Sequence, residues 1–128
     1  MPSSSPVVCV VEDDAAVRNA LEFSLEAEGL AVRAHGAAAN LLQDPELPSC
    51  RCLVVDFRMP AMDGLELVAE LRARGITVPV IMITGRATRD LRARAEKLGI
   101  RRVVEKPLPD GELLKAIQAA IDGEQPSG

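Results

Sequence analysis

Four points in this sequence bring chemically useful side chains to the end of an apolar run. Asp56 closes the run Cys52-Leu53-Val54-Val55 and opens the stretch Phe57-Arg58-Met59-Pro60-Ala61-Met62-Asp63-Gly64. Glu12, Asp13 and Asp14 follow Val7-Val8-Cys9-Val10-Val11. Thr84 and Gly85 follow Val80-Ile81-Met82-Ile83, and Glu105, Lys106 and Pro107 follow Val103-Val104. If the runs are parallel strands, these groups gather at one sheet edge, where open α/β sheets bind ligands. Glu12, Asp13 and Asp56 packed together repel one another and raise one another's pKa values. A hard cation relieves that repulsion, and an all-oxygen donor set suits Mg²⁺, whose open positions accept phosphoryl oxygens. Lys106 adds a positive charge and Thr84 a hydroxyl. An acid nucleophile, a metal, a lysine and a hydroxyl are the parts of a phosphoryl-transfer site. A carboxylate nucleophile yields an aspartyl phosphate.

The elements that must position these groups are legible in the hydropathy pattern. Each apolar run of four to five residues has the length of a strand buried on both faces. A further strand is expected over Leu30-Ala31-Val32-Arg33-Ala34. Val17, Ala20, Leu21, Ser24 and Leu25 follow the rhythm of a half-buried helix. Leu65, Leu67, Val68 and Leu71 make a second apolar helical face. Leu91, Ala95 and Leu98 make a narrower one, stopped by Gly99. Leu113, Ala116, Ile117, Ala120 and Ile121 form the cleanest face, and a weaker helix runs through Ala37-Ala38-Ala39-Asn40-Leu41-Leu42. Five β-α repeats imply a doubly wound parallel sheet with helices on both faces, a flavodoxin-like (βα)5 fold. The domain is expected to span residues 7–122, between tails at 1–6 and 123–128.

Bulk properties exclude several classes. A chain of 128 residues with 48% apolar content buries a core without metal or disulfide staples. No apolar run reaches the ~20 residues of a membrane helix, and Met1 to Pro6 lacks the regions of a signal peptide. A cytoplasmic protein is expected. Cys9, Cys50 and Cys52 are an odd set, read as reduced thiols, with Cys50 and Cys52 expected on one face. His35 is the only histidine, too few for a zinc site. The net charge of −4 argues against nucleic-acid binding by bulk electrostatics. Taken singly, the acids could serve as helix N-terminal groups, Thr84 as a strand-end cap and Lys106 as a solvated lysine. Asp63 reads better as the cap of the helix at Gly64 than as a ligand. Taken jointly, the groups beyond four separate strands do not line up as independent surface residues would.

The acidic pair Glu12-Asp13, the block Val54-Val55-Asp56-x-Arg58-Met59-Pro60 with Asp63-Gly64, then Thr84-Gly85 and Lys106-Pro107, resemble the receiver domain of bacterial two-component response regulators. The resemblance covers about Val7 to Ile121. It implies that Asp56 is the phosphoacceptor. It implies Mg²⁺ held by Asp13, Asp56 and the backbone carbonyl of Arg58, with Glu12 reaching it through water. It also implies Thr84 as the switch hydroxyl, Lys106 as the ion-pair partner of the phosphoryl group, and a cis bond before Pro107. The implied partner is a sensor histidine kinase or a histidine phosphotransfer protein. The implied activity is that of a phosphoacceptor switch with slow self-phosphorylation and self-dephosphorylation, not of a turnover enzyme.

Several residues depart from the family pattern. Glu12 stands where Asp is commoner, and Val103 where the family usually has the aromatic that swings inward on activation. The same resemblance implies that Arg58 and Arg86, two residues past Asp56 and Thr84, flank the approach of a hydrolytic water. Both are long and cationic, so slow loss of phosphate is expected. From Arg86 to Arg102 the chain carries seven cations against Asp90 and Glu96. Over the fourth helix, fifth strand and fifth helix this suits an acidic partner or a second copy. Direct nucleic-acid binding is not expected, because aromatics to stack bases are missing. Three other readings compete with this one. A haloacid-dehalogenase-like phosphohydrolase needs an acid where Arg58 stands. A flavodoxin-like cofactor binder needs a phosphate-cradling loop where Glu12-Asp13-Asp14 stands. A degenerate receiver acting only as a binding module does not need the intact acids, hydroxyl and lysine. A stand-alone receiver opening at Met1 is expected.

Overall fold

The computed structural model describes residues 6–108 and 111–123. Apart from Pro6 and Gly123, the expected tails lie outside the described residues. The elements are β1 (Val7–Val11), α1 (Ala15–Ala27), β2 (Ala31–His35), α2 (Ala38–Leu42), a 3₁₀ turn (Leu47–Ser49), β3 (Cys52–Asp56), α3 (Gly64–Ala73), β4 (Val80–Thr84), α4 (Arg89–Lys97), β5 (Arg102–Glu105) and α5 (Glu112–Ile121). All strand pairings are parallel, in the order β2-β1-β3-β4-β5. From β1 the chain moves outward to β2, and from β3 it moves outward the other way to β4. The carboxyl ends of β1 and β3 therefore flank the crevice where the winding reverses.

Strand alternation divides the core in two. Cys9, Val11, Leu53, Val55, Val80 and Met82 face one side with Leu41, Leu67, Leu71, Leu91 and Ala95 from α2, α3 and α4. Val8, Val10, Val54, Ile81, Ile83 and Val104 face the other with Leu21, Leu25, Leu113 and Ile117 from α1 and α5. Each fully buried aliphatic side chain contributes about 1.5–3 kcal/mol of transfer free energy. These clusters hold the strand ends rigid for the site.

Some expected details differ. The central strands β3 and β4 are buried throughout, but β2 and β5 are sheet edges with exposed residues. Their short or polar sequences suit that place. On α1, Ala20 and Ser24 are exposed, and the buried line is Val17, Leu21 and Leu25. Cys50 lies before β3 and packs in one cluster, whereas Cys52 packs in the other. Cys50 precedes the strand and the chain bends at Arg51, so the strand alternation that would have put them on one face does not reach back to Cys50. All three cysteines are unpaired thiols.

Local chemistry fixes the helix starts near the site. Asp14 caps α1 by accepting from the N–H groups of Ala16 and Val17. Asp63 and Glu66 form a reciprocal capping box at α3. Gly64 is required by space: a Cβ there would stand 2.8 Å from the carbonyl oxygen of Asp56. On α3, Arg72 donates to the carbonyl oxygens of Leu98, Ile76 and Val78, tying α3, the strand β4 entry and the end of α4 together.

Candidate functional site

Register alone aligns the polar groups. Val11 pairs with Val55, so Glu12 and Asp56 come next on adjacent strands. Asp56 pairs with Ile83, and Thr84 with Glu105, which sets Thr84 and Lys106 each one step further along the edge. The Lys106 N–H donates to the Thr84 carbonyl at 2.8 Å, and the Lys106–Pro107 bond is cis. The side chains converge. Lys106 Nζ lies 3.5 Å from Asp56 Oδ1 and 3.7 Å from Glu12 Oε1. One carboxylate oxygen each from Glu12, Asp13 and Asp56 falls within a 4.8 Å cluster.

Their environments differ. Glu12 and Asp56 are buried and Asp13 is exposed. Glu12 Oε2 accepts the Asp14 N–H at 3.1 Å. Glu12 Oε1 is buried with no hydrogen-bond partner among the described residues. Burial pushes the Glu12 carboxyl up to about 7; the Asp14 N–H opposes this and the neighbouring Asp56 adds to it. A buried carboxylate oxygen without a hydrogen bond, beside two further carboxylates, is an all-oxygen donor set of the kind that fits Mg²⁺.

The hydroxyl and the arginines occupy the other wall. Thr84 is buried, and its Oγ1 donates to the Arg86 carbonyl and accepts the Arg86 N–H, both at 3.2 Å. The hydroxyl is thus engaged by its own loop. Arg58 and Arg86 are exposed and line a cavity of about 340 Å³ with Asp56, Thr84, Arg94 and Lys106. Arg58 also lines a neighbouring cavity of about 430 Å³ with Asp13 and Asp63. Val103 is half-buried against the α2–α3–α4 core.

Sequence reading missed three polar links. Asp44, buried, holds the Arg33 guanidinium through two bonds of 2.8 and 2.7 Å, His35 Nε2 at 2.9 Å, and the Glu46 N–H. The Arg33 guanidinium holds the Asp44 carboxyl well below the usual range. The alternation of Arg33 and His35 on one strand face was the available signal. The second link is the Arg72 hub. The third is Glu105, whose Oε2 accepts the Ala87 N–H at 2.9 Å.

The comparisons agree with this geometry. The family profile of the response regulator receiver domain matches residues 8–118. The chain is 46% identical over 122 residues to the transcriptional regulatory protein FixJ of Azorhizobium caulinodans, covering 94% of this chain and 57% of that protein. It is 37% identical to nodulation protein W of Bradyrhizobium diazoefficiens, covering 96% of this chain and 54% of that protein. The chain therefore spans about half the length of these relatives. The crystal structure of FixJ-N superposes with a TM-score of 0.82 at 34% identity, covering 99% of this chain and all of that one. The response regulator StyR gives a TM-score of 0.86 at 34% identity, covering 94% of this chain and 61% of that one. With the sheet order, the strand-end register and the profile in agreement, the chain belongs to the receiver domains of two-component response regulators.

Proposed function

We propose that Asp56 is the phosphoacceptor and that Asp13, Asp56, the Arg58 carbonyl and Glu12 form the Mg²⁺ site. The observation that carries this reading is the cluster of three carboxylates with the Lys106 ammonium 3.5 Å from Asp56. An Asp56 carboxylate oxygen attacks the phosphorus of a phosphohistidine, on a kinase or phosphotransfer protein, and the histidine nitrogen leaves with the P–N electron pair. Mg²⁺, when bound, supplies charge neutralisation for the acids and for the phosphoryl oxygens. Lys106 holds a phosphoryl oxygen by its ammonium. Thr84 leaves its bonds to Arg86 and donates to another. The chain is a switch, not a turnover enzyme. The alternative phosphohydrolase chemistry has Arg58 where it needs an acid.

The domain boundaries 7–122, a cytoplasmic location and pairing with a second copy belong to the same proposal. Among the described residues no helix is long and apolar enough to cross a membrane. Arg89, Arg92, Arg94 and Lys97 are exposed on α4 and make a basic face beside β5 and α5. That face suits an acidic partner surface better than nucleic acid, given a net charge of −4.

Mg²⁺ binds the folded site and hardly binds the unfolded chain, so it is expected to stabilise the protein. At about 100-fold excess over its Kd the gain is about 2.7 kcal/mol. Asp13→Ala is expected to abolish that gain. Thermal unfolding with and without Mg²⁺ checks it, and an unchanged shift in the variant refutes Asp13 as a ligand.

Arg86 gives a second expectation. Its guanidinium lines the cavity over Asp56 and offers no acceptor to orient a water. Arg86→Ala or Arg86→Asn is expected to speed phosphate loss several-fold, a barrier change of about 1 kcal/mol. Equal decay rates in both variants and wild type would remove Arg86 from this role.

A further inference from the structure

Glu105 is exposed at the end of β5, next to Lys106, yet its carboxylate makes a specific contact with the loop between β4 and α4. Oε2 accepts the Ala87 N–H at 2.9 Å. Ala87 immediately precedes Thr88, the N-cap of α4, whose side chain accepts the Leu91 N–H at 3.1 Å. The loop Gly85-Arg86-Ala87 is therefore held twice in succession. Thr84 Oγ1 grips the Arg86 backbone, and Glu105 grips the next N–H. The strand pairing of Thr84 with Glu105 fixes both grips to one level of the sheet. Val103, the β5 residue two places earlier, is a short aliphatic side chain with no polar atom to follow Thr84.

We propose that Glu105 is a positioning residue: its bond to Ala87 latches the β4–α4 loop in the resting arrangement, and phosphorylation releases it. The inference rests on the reading of Asp56 as phosphoacceptor. Thr84 Oγ1 has one hydrogen to donate, so it cannot serve the Arg86 carbonyl and a phosphoryl oxygen at once. Drawing it toward Asp56 breaks its hold on Arg86 and carries the adjoining Ala87 N–H away from Glu105. The latch thus opposes the move that the phosphoryl group favours. A charge-assisted bond present in only one of two states biases the equilibrium toward that state. Glu105 then supplies the link between β5 and α4, and needs no aromatic side chain to do so.

The test is amide hydrogen exchange of Ala87, read by NMR, alongside the rate of phosphorylation by acetyl phosphate with saturating Mg²⁺. In unphosphorylated Glu105→Ala, Ala87 is expected to exchange about tenfold faster, with α1 amides unchanged as the control for folding. Phosphorylation of the same variant is expected to speed up about three- to fivefold, since less resting-state stabilisation must be overcome. Glu105→Gln keeps a side-chain carbonyl and is expected to restore most of the protection. Phosphorylated wild type is expected to match Glu105→Ala at Ala87. Equal Ala87 protection in wild type and Glu105→Ala overturns the latch, and protection that survives phosphorylation overturns its release. Failure of the wild type to take up phosphate overturns the reading of Asp56 and with it the release. The exchange comparison of the unphosphorylated variants still decides the latch in that case.

Discussion

Lys106→Ala is expected to slow phosphorylation of Asp56 by about 100-fold or more, the usual consequence of removing one preorganised charge from a developing oxyanion. The ammonium lies 3.5 Å from Asp56 Oδ1 and 3.7 Å from Glu12 Oε1. Both separations exceed a good N–H···O bond, so in the resting site Lys106 acts on the acids as a point charge. Its donors remain available to a phosphoryl oxygen. Lys106→Arg is expected to rescue little, because a planar guanidinium replaces a compact charge with a wider fork. The side chain is about one-third exposed, so folding is expected to survive the substitution. Rates of labelling by acetyl phosphate, followed by intact mass, check this. A variant within threefold of wild type would show that the ammonium does not stabilise the transferring group.

Metal-free protein is expected to lose stability as pH rises from about 4.5 to about 7. Glu12 has an ordinary pKa of 4.5, and burial pushes it up to about 7 in the folded chain. Between those values the native state binds more protons than the unfolded state, so unfolding free energy falls with pH. Below 4.5 Glu12 is protonated in both states and its contribution is fully present. Above 7 it is ionised in both and the slope vanishes. Allowing for the water that reaches this sheet edge, the loss from this group is about 2 kcal/mol. Glu12→Gln is expected to remove the slope and, in chelator at pH 7.5, to be the more stable protein. Saturating Mg²⁺ is expected to offset the loss in wild type, because a cation favours the ionised acids. Urea unfolding at pH 5 and pH 7.5 in chelator measures it. A change in wild-type stability over this interval equal to that of Glu12→Gln would contradict the assignment.

What the sequence disclosed followed from local rules. Strand ends, the caps at Asp63 and Gly99, and the convergence of Glu12, Asp56, Thr84 and Lys106 all derive from runs of buried residues in parallel register. The failures lay where local periodicity stops carrying information. Ala20 and Ser24 fit the helical rhythm but are small or polar, and the α1 face follows Val17, Leu21 and Leu25, the side chains with apolar area to bury. The two edge strands could not be told from central ones by apolar runs alone. Asp44 meets Arg33 and His35 across 11 and 9 residues, a pairing set by the fold and invisible to spacing. Nothing in the sequence marks Arg72 or Glu105, because their roles come from backbone groups of distant segments that lie within reach. The direction of the Thr84 hydroxyl, held by Arg86, also needed coordinates.

The destination of the phosphoryl group tests Asp56 as the phosphoacceptor most directly. Wild type and Asp56→Asn, each with Mg²⁺ and acetyl phosphate, are compared by intact mass and by peptide mapping under acidic conditions, where an aspartyl phosphate survives. A single base-labile phosphoryl group is expected on wild type, located at Asp56, dependent on Mg²⁺, and absent from Asp56→Asn. Uptake by Asp56→Asn at the wild-type rate, or a phosphoryl group mapped to another residue of the wild type, would contradict it.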